Sequence, residues 1–500
     1  MSRPPAEHEH ASRVTVDVPV RPVRLRVGAS AHVRPHLADA KSRARLGQPP
    51  ALPEDWQSRA LGRMADLLRE NRGLRVAMDA CMHCGACTDK CHYFLGTGDP
   101  NNMPVARQEL MRKVYRRHFT LSGRLFPRLV GAEPLSESVL EEWQTYFNQC
   151  SQCRRCAHFC PVGIDTAEFS MAARDILASI GLGQRYTAQV LVKALDTGNN
   201  LGMPGPALAD TLAGLEEDLE EDSGVPVRLP LDQAGSEILL VTPSADFFAE
   251  PQVDGLMGYA KVLHQAGLEW TLSSVASEAA NFALFDGNRA QMGELLGTIR
   301  DQARELGVRR IVFGECGHAW RVAHNYLQSL GGPLDFLPPE HRRAVHIAEL
   351  TDDLLRAGAL RLDPSQNDER RLTFHDSCNI ARASMIGRRP GEQFDIPRRL
   401  LSASCNHVFE MRADSTRART FCCGGGGGLL TGELAEIRVK GAAPRMSAFA
   451  EVVERHGVTH LVAMCAICKS QFTQILPEFG YEFDRILSLH QVVGDALVLR

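Results

Sequence analysis

The sequence predicts an α+α/β chain, with a helical first third followed by α/β units on parallel sheets. Three observations predict it. Two cysteine runs of matching spacing stand in the first third, Cys81-x2-Cys84-x2-Cys87-x3-Cys91 and Cys150-x2-Cys153-x2-Cys156-x3-Cys160, the second followed by Pro161. Beyond about residue 236 the pattern becomes short apolar runs alternating with amphipathic helices. That later region also repeats itself, with cysteines at matching places.

Residues 1–53 come first, a basic flexible extension. Nine Arg/Lys stand against four Asp/Glu in the first 50 positions, with scattered prolines. An arm that docks on a partner or an anionic membrane surface is the other reading. The segment MSRPPAEHEHASRV has no apolar core, so no secretory signal is expected. No stretch reaches about 18 consecutive apolar residues, so a membrane role would run through a partner. The net charge of −4 argues against a nucleic-acid binder, and 15 grouped cysteines imply metal sites in a reducing compartment.

Residues 54–185 read as helical, with a helix from Pro53 to Asn71 and a basic helix from Gln108 to His118. The basic helix carries Arg112, Lys113, Arg116 and Arg117, read as a solvated face with partner docking as the alternative. The cysteine runs have the spacing of two-cluster ferredoxins, in which the fourth cysteine of each run crosses to the other cube. One [4Fe–4S] cluster is then expected on Cys81, Cys84, Cys87 and Cys160, the other on Cys150, Cys153, Cys156 and Cys91. Zinc fits eight cysteines in this order poorly, and disulfides fit worse. His92 stands where a proline is usual and is read as a surface or neighbouring residue, not a ligand.

Residues 186–235 read as a linker, with the acidic stretch Glu216 to Asp222 as its solvated centre. Strands are expected at Glu237–Val241, Arg310–Phe313, Leu372–Phe374 and Leu461–Ala463, with helices at Ala290–Leu306 and Ala435–His456. In the repeat, the segment ending at Cys316 aligns with that ending at Cys465. The first copy, residues 236–360, keeps only Cys316. Ala245, the Phe285-Asp286 region and Ala319 replace its other cysteines. The second copy, residues 361–500, carries Cys378, the pair Cys422-Cys423 and Cys465-x2-Cys468.

Adjacent cysteines that serve one site need a sharp loop, which the glycines from Gly424 to Gly428 allow. A phosphate loop is disfavoured because no GK[ST] follows. Zinc on four of the five thiolates is the rival for this third metal site. Cys405 reads as a small buried residue and Lys469 as a surface lysine. Cys316 and His318 either face the intact site or are remnants of a lost one. His375 reads as a possible proton-handling residue beside the site, and Asp376 as the N-cap of the following helix.

Cys378, Cys422-Cys423-Gly424 and Cys465-x2-Cys468 resemble the CCG-domain pattern. Two ferredoxin-like runs ahead of duplicated CCG regions resemble the D-type component of heterodisulfide reductase and its relatives. The segment Met78 to Gly98 and the Cys316-Gly-His-Ala-Trp320 remnant are most similar to the DsrK group, the iron–sulfur subunits of DsrMKJOP complexes. The resemblance covers about residues 70–500. One CCG site is complete where heterodisulfide reductases have two, so one such cluster is expected.

The resemblance implies an unusual [4Fe–4S]-type cluster on Cys378, Cys422, Cys423, Cys465 and Cys468. It implies cleavage or formation of an S–S bond, disulfide or trisulfide, on a small DsrC-type sulfur carrier. Electrons would pass through the two ferredoxin-type clusters to or from a DsrM-like membrane cytochrome b and quinone. The place implied is cytoplasmic, peripheral on the inner face of the cytoplasmic membrane. The alternatives are an electron-relay subunit of a glycolate- or lactate-type oxidase and a zinc-bearing assembly scaffold. The direction of electron flow stays open, because sulfate respiration and sulfur oxidation would use the same cysteines.

Overall fold

The computed structural model describes residues 23–277 and 280–499. Residues 1–22 of the expected N-terminal extension lie outside the described residues. The described part of that extension is packed, which corrects the flexible reading of residues 23–53. The buried Ser30 hydroxyl donates to Asp99 at 2.8 Å, and Gln149 Nε2 donates to the carbonyls of Ser30 and Val33. Gln149 is wholly buried, so these bonds satisfy an amide that would otherwise be costly to bury.

Helices Trp56–Glu70, Arg72–Ala80, Pro104–Phe119, Glu137–Tyr146 and Thr166–Ser179 form the first third. They share a core around Met64, Met111, Trp143, Phe147 and Phe169. Asn71 caps Arg72–Ala80 by accepting from Leu74 N at 2.9 Å, which aims the helix end at Cys81.

Residues 186–235 are not a linker. Helices Arg185–Thr197 and Gly205–Ser223 occupy most of them. Leu208, Leu212 and Leu219 recur at helical spacing and are buried beneath the acidic residues, which face outward.

Two four-stranded parallel sheets follow, with the same strand order. The first joins β1 (Ile238–Val241), β2 (Trp270–Thr271), β3 (Arg310–Phe313) and β4 (Val345–His346) in the order β2-β1-β3-β4. The second joins β5 (Leu372–His375), β6 (Val408–Phe409), β7 (His460–Ala463) and β8 (Ile486–Ser488) in the order β6-β5-β7-β8. Leu239 pairs with Ile311 in one, and Thr373 with Leu461 in the other. The central strands are buried along most of their length, as expected for parallel strands covered on both faces. Helices Gln252–Gln265 and Leu489–Ala496 pack the halves together. A Cβ on Gly258 would stand 1.9 Å from the His490 carbonyl oxygen, so glycine is needed for that approach.

Candidate iron–sulfur site

The two cysteine loops turn alike. His83 and Gly85 in the first run, and Gln152 and Arg154 in the second, have positive φ values of 54°, 75°, 55° and 59°. Three of the four are not glycine, and a side chain there costs roughly 1–2 kcal/mol each. Such strain persists where surrounding structure fixes the turn. Cys81, Cys84, Cys87 and Cys160 line one cavity, with Val105 and Ile164 on its walls. Cys91, Cys150, Cys153 and Cys156 line another, beside Arg107. Burial pushes the Cys87 thiol up to about 11 and raises Cys156 further.

Helix Pro104–Phe119 buries Arg107 and Arg112, which corrects the solvated-face reading for Arg112, while Lys113, Arg116 and Arg117 stay partly exposed. Arg112 Nε donates to the Met78 carbonyl at 2.6 Å and Nη2 to the Cys81 carbonyl at 3.2 Å, so this residue clamps the first loop. His92 is buried, not at the surface. Its Nδ1–H donates to the Gly441 carbonyl at 2.8 Å, and Nε2 accepts from the Ser151 hydroxyl at 2.8 Å. It ties the cysteine loops to the C-terminal helix Ala435–His456.

The other five cysteines gather at the carboxyl ends of β5 and β7. Cys378 opens the helix Cys378–Ala383 just after β5, and Cys465 precedes the helix Ala466–Ile475 that carries Cys468. Cys378 and Cys422 sulfurs are 4.0 Å apart. Donor atoms of His375, Cys423 and Cys468 lie within 4.8 Å of one another. Hydrogen bonds from Cys153, Cys378 and Cys423 hold the Cys422 thiol well below its ordinary range. Bonds from Cys316 and Cys468, with a further one from His318, do the same for Cys465. The thiols therefore form a continuous file. It begins at Cys153 in the second ferredoxin-type loop and ends at Cys316 at the end of β3.

The glycine run fills the space between these parts. A Cβ on Gly427 would stand 2.8 Å from the Cys150 carbonyl oxygen, and one on Gly426 2.9 Å from His318 Nε2. Gly424 and Gly427 have φ of 97° and 66°. Close approach on both sides, together with left-handed turns, accounts for residues without side chains here.

Five arginines are buried against these sites: Arg107, Arg155, Arg174, Arg321 and Arg445. Their hydrogen bonds go chiefly to carbonyls, such as Arg174 to Phe147, Cys150 and Gly427, and no ion pair with a carboxylate is formed by them among the described residues. Arg107 lines the cavity that Cys91, Cys150, Cys153 and Cys156 share. Buried cations need counter-charge, and groups of thiolates supply it. Arg321 Nε and Nη2 have no partner, while its Nη1 donates to the Gln152 carbonyl at 3.5 Å and to Asn379 Oδ1 at 3.2 Å, one residue from Cys153 and Cys378 respectively. The all-sulfur donor sets and this cationic surround fit iron–sulfur clusters.

Comparison with known proteins agrees. Residues 77–164 match the model of the 4Fe-4S dicluster domain. The chain is similar to the Hdr-like menaquinol oxidoreductase iron-sulfur subunit of Archaeoglobus profundus, with 37% identity over 90% of this chain and 84% of the relative. It is also similar to the Hdr-like menaquinol oxidoreductase iron-sulfur subunit 2 of Archaeoglobus fulgidus, 38% identical over the same shares.

The chain belongs to the Hdr-like iron–sulfur subunit family.

A more distant similarity, 28% identity over 73% of this chain and 84% of the relative, links the family to the D component of dihydromethanophenazine:CoB--CoM heterodisulfide reductase of Methanosarcina barkeri. This member is an oxidoreductase subunit that carries a 4Fe-4S dicluster domain. No helix among its described residues is long and apolar enough to cross a membrane.

Several residues around the site carry roles that spacing did not show. Lys469 is fully buried, which corrects the surface reading. Its Nζ lies 3.1 Å from Glu315 Oε2 and donates to Ser488 Oγ at 2.6 Å. The Glu315 backbone carbonyl accepts from Ala466 N, so a polar knot joins the two halves just below Cys465 and Cys468. Burial alone would raise the Glu315 carboxyl, but Lys469 and His490 hold it down at about 2. Asp376 is not the helix cap, since Ser377 holds that position. Asp376 instead pairs with Arg398 through two 2.9 Å bonds and accepts from Arg417 N. His375 is buried with both ring nitrogens unpartnered, and burial pushes it down to about 3. Cys405 lies apart from the thiol file, buried near the carbonyls of Asn367 and Arg370.

Proposed function

We propose that this chain makes or breaks an S–S bond at its C-terminal five-cysteine site and exchanges the electrons through its two ferredoxin-type clusters. Cys81, Cys84, Cys87 and Cys160 hold one [4Fe–4S] cluster, and Cys150, Cys153, Cys156 and Cys91 the other. Cys378, Cys422, Cys423, Cys465 and Cys468 hold a third, unusual cluster. In domain terms, residues 54–185 are the electron-carrying part, residues 236–360 a degenerate CCG-type unit and residues 361–500 the complete one. The observation that carries the reading is that Cys153 packs against the buried cluster holding Cys378, Cys422, Cys423, Cys465 and Cys468, with Arg382 of the helix opened by Cys378 donating to the Cys153 carbonyl at 2.8 Å. The second ferredoxin-type loop therefore lies directly against the C-terminal site, which gives electrons a short path between them.

Reduction of an S–S bond takes two electrons and two protons and yields two thiols, and oxidation reverses it. Bound clusters supply one-electron storage for such a couple. The chain's own residues hold the sulfurs, surround them with buried guanidinium charge and exclude water, since all five cysteines are buried. The menaquinol named for the Archaeoglobus relatives supports a quinol as the far electron partner, giving up two electrons and two protons to become a quinone. A DsrM-like cytochrome b in the membrane and a small DsrC-type sulfur carrier are the partners this reading takes, with the chain peripheral on the inner face of the cytoplasmic membrane.

The test compares the parent with Cys153→Ser and Cys423→Ala, using a small protein bearing an S–S bond and following its thiol state. Cys153→Ser should slow electron delivery, and Cys423→Ala should abolish S–S exchange while dithionite still reduces the first ferredoxin-type cluster. Exchange at the parent rate in Cys423→Ala would assign the chain to electron relay instead.

A further inference from the structure

Cys316 belongs to the other half of the molecule. It follows β3 and precedes the helix Gly317–Gly331, the place that Cys465 takes after β7 and before Ala466–Ile475. The two corresponding positions face each other across the interface. Ala466 N donates to the Glu315 carbonyl at 2.8 Å, Cys316 packs on Ala466 beside Cys465 and lowers the Cys465 thiol, and His318 Nδ1 stands 3.7 Å from Cys465 Sγ. A Cβ on Gly317 would come within 2.4 Å of Ser377 Oγ and 3.5 Å of Cys465 Sγ, so a glycine after Cys316 permits this approach. His318 is 1% exposed, its Nε2 has no hydrogen-bond partner, and it is directed at the glycine loop that follows Cys423. A cysteine kept only as a small buried residue meets backbone and hydrocarbon, as Cys405 does against the carbonyls of Asn367 and Arg370. Cys316 Sγ accepts from Ala319 N at 3.5 Å and packs with Ala319 and Ala466, and in addition it faces the Cys465 thiol across the interface.

We propose that Cys316 is a sixth sulfur donor of the C-terminal iron–sulfur site, contributed across the interface by the first α/β half. The inference rests on the reading that this site holds iron. Ligating thiols give up their protons when metal binds, so the thiol-to-thiol contact seen here is replaced by two sulfurs facing one metal group. His318, with a ring nitrogen to spare, lies beside the same sulfur and limits the space around it. The site is then assembled only when both halves are docked. It also has one donor beyond those the second half provides, and that donor can yield to an incoming sulfur without loosening the other five.

The experiment uses the anaerobically prepared full chain. Cys316→Ser should keep about twelve irons, as expected for three four-iron clusters. It should shift the EPR signature of the C-terminal site while the two ferredoxin-type signals stay unchanged. Selenium X-ray absorption on a Cys316→Sec variant, which preserves shape, should show iron in the first shell of selenium. Only carbon and sulfur neighbours around selenium, in protein with about twelve irons, would overturn the inference and leave the proposed function standing. EPR spectra of Cys316→Ser that superimpose on the parent would overturn it as well. About eight irons in the parent would instead remove the reading on which it rests, and the inference with it.

Discussion

Gly96→Ala tests whether the close packing of the cysteine loops on the C-terminal half is required. Gly96 lies in the helix His92–Thr97, which begins right after Cys91 and packs on the helix Ala435–His456. An added Cβ would stand 1.8 Å from the Lys440 carbonyl oxygen and 2.4 Å from its carbon. Ordinary carbon-to-oxygen contacts begin at about 3.3 Å, so the helices must part by about 1.5 Å. That movement would stretch the 2.8 Å bond from His92 to Gly441 and the 2.7 Å bond from Tyr93 to Gly424. Overpacking of this kind costs about 1–3 kcal/mol, a change of about 5- to 150-fold in the folding equilibrium. Gly62→Ala is the control. Gly62 lies in the helix Trp56–Glu70 with nothing within 4 Å of a built Cβ, so alanine there should gain about 0.5–1 kcal/mol. The assay is anaerobic thermal bleaching of visible absorbance, with the rate of electron exchange between the second ferredoxin-type loop and the C-terminal site. Gly96→Ala should melt earlier and exchange more slowly, and Gly62→Ala should melt at or above the parent. A Gly96→Ala protein that matches the parent in both would refute the reasoning.

Three further outcomes follow from single contacts. Lys469→Met leaves the buried Glu315 carboxylate with His490 as its remaining partner and should cost about 3–5 kcal/mol in denaturant unfolding, most of it recovered in the double variant Lys469→Met/Glu315→Gln. Failure of the double variant to recover would show that the pair is not the source of the loss. Burial raises the Asp246 carboxyl from 3.8 to about 7, so the folded chain keeps a proton that the unfolded chain releases, and stability falls as pH rises between those values. Asp246→Asn should therefore gain on the parent between pH 5 and 8, and a constant gap in unfolding midpoints would sink the argument. Cys405→Ala should leave iron content at the parent value with only a small loss of stability, and a loss of iron would place Cys405 in a metal site.

The four-residue central strands are legible in the sequence as continuous apolar runs, and the helix Ala435–His456 by its apolar period. The two-residue strands Trp270–Thr271, Val345–His346 and Val408–Phe409 are not, since a pair of residues has no period to read. The helix Gly205–Ser223 reads as a linker because its acidic residues outweigh the three leucines that it buries. Lys469 reads as a surface residue because its partner Glu315 stands 154 residues away, and only folding brings them together. The cysteines themselves announce metal chemistry by spacing alone. Their arrangement in one file does not show in the sequence, because Cys153 and Cys422 lie in different parts of the chain. Distance along the chain suggests that the C-terminal site and the ferredoxin-type clusters are independent. The packing of Cys153 against the C-terminal cysteines means that a change at Cys422 or Cys423 should perturb the nearer ferredoxin-type signal as well.

The most direct measurement is the iron and zinc content of the parent and of Cys423→Ala, both prepared anaerobically, with EPR on each. Three clusters predict about twelve irons and little zinc in the parent. Cys423→Ala should fall to about eight irons while both ferredoxin-type signals persist, the nearer one shifted. About eight irons and one zinc in the parent would contradict an iron–sulfur site at Cys378, Cys422, Cys423, Cys465 and Cys468.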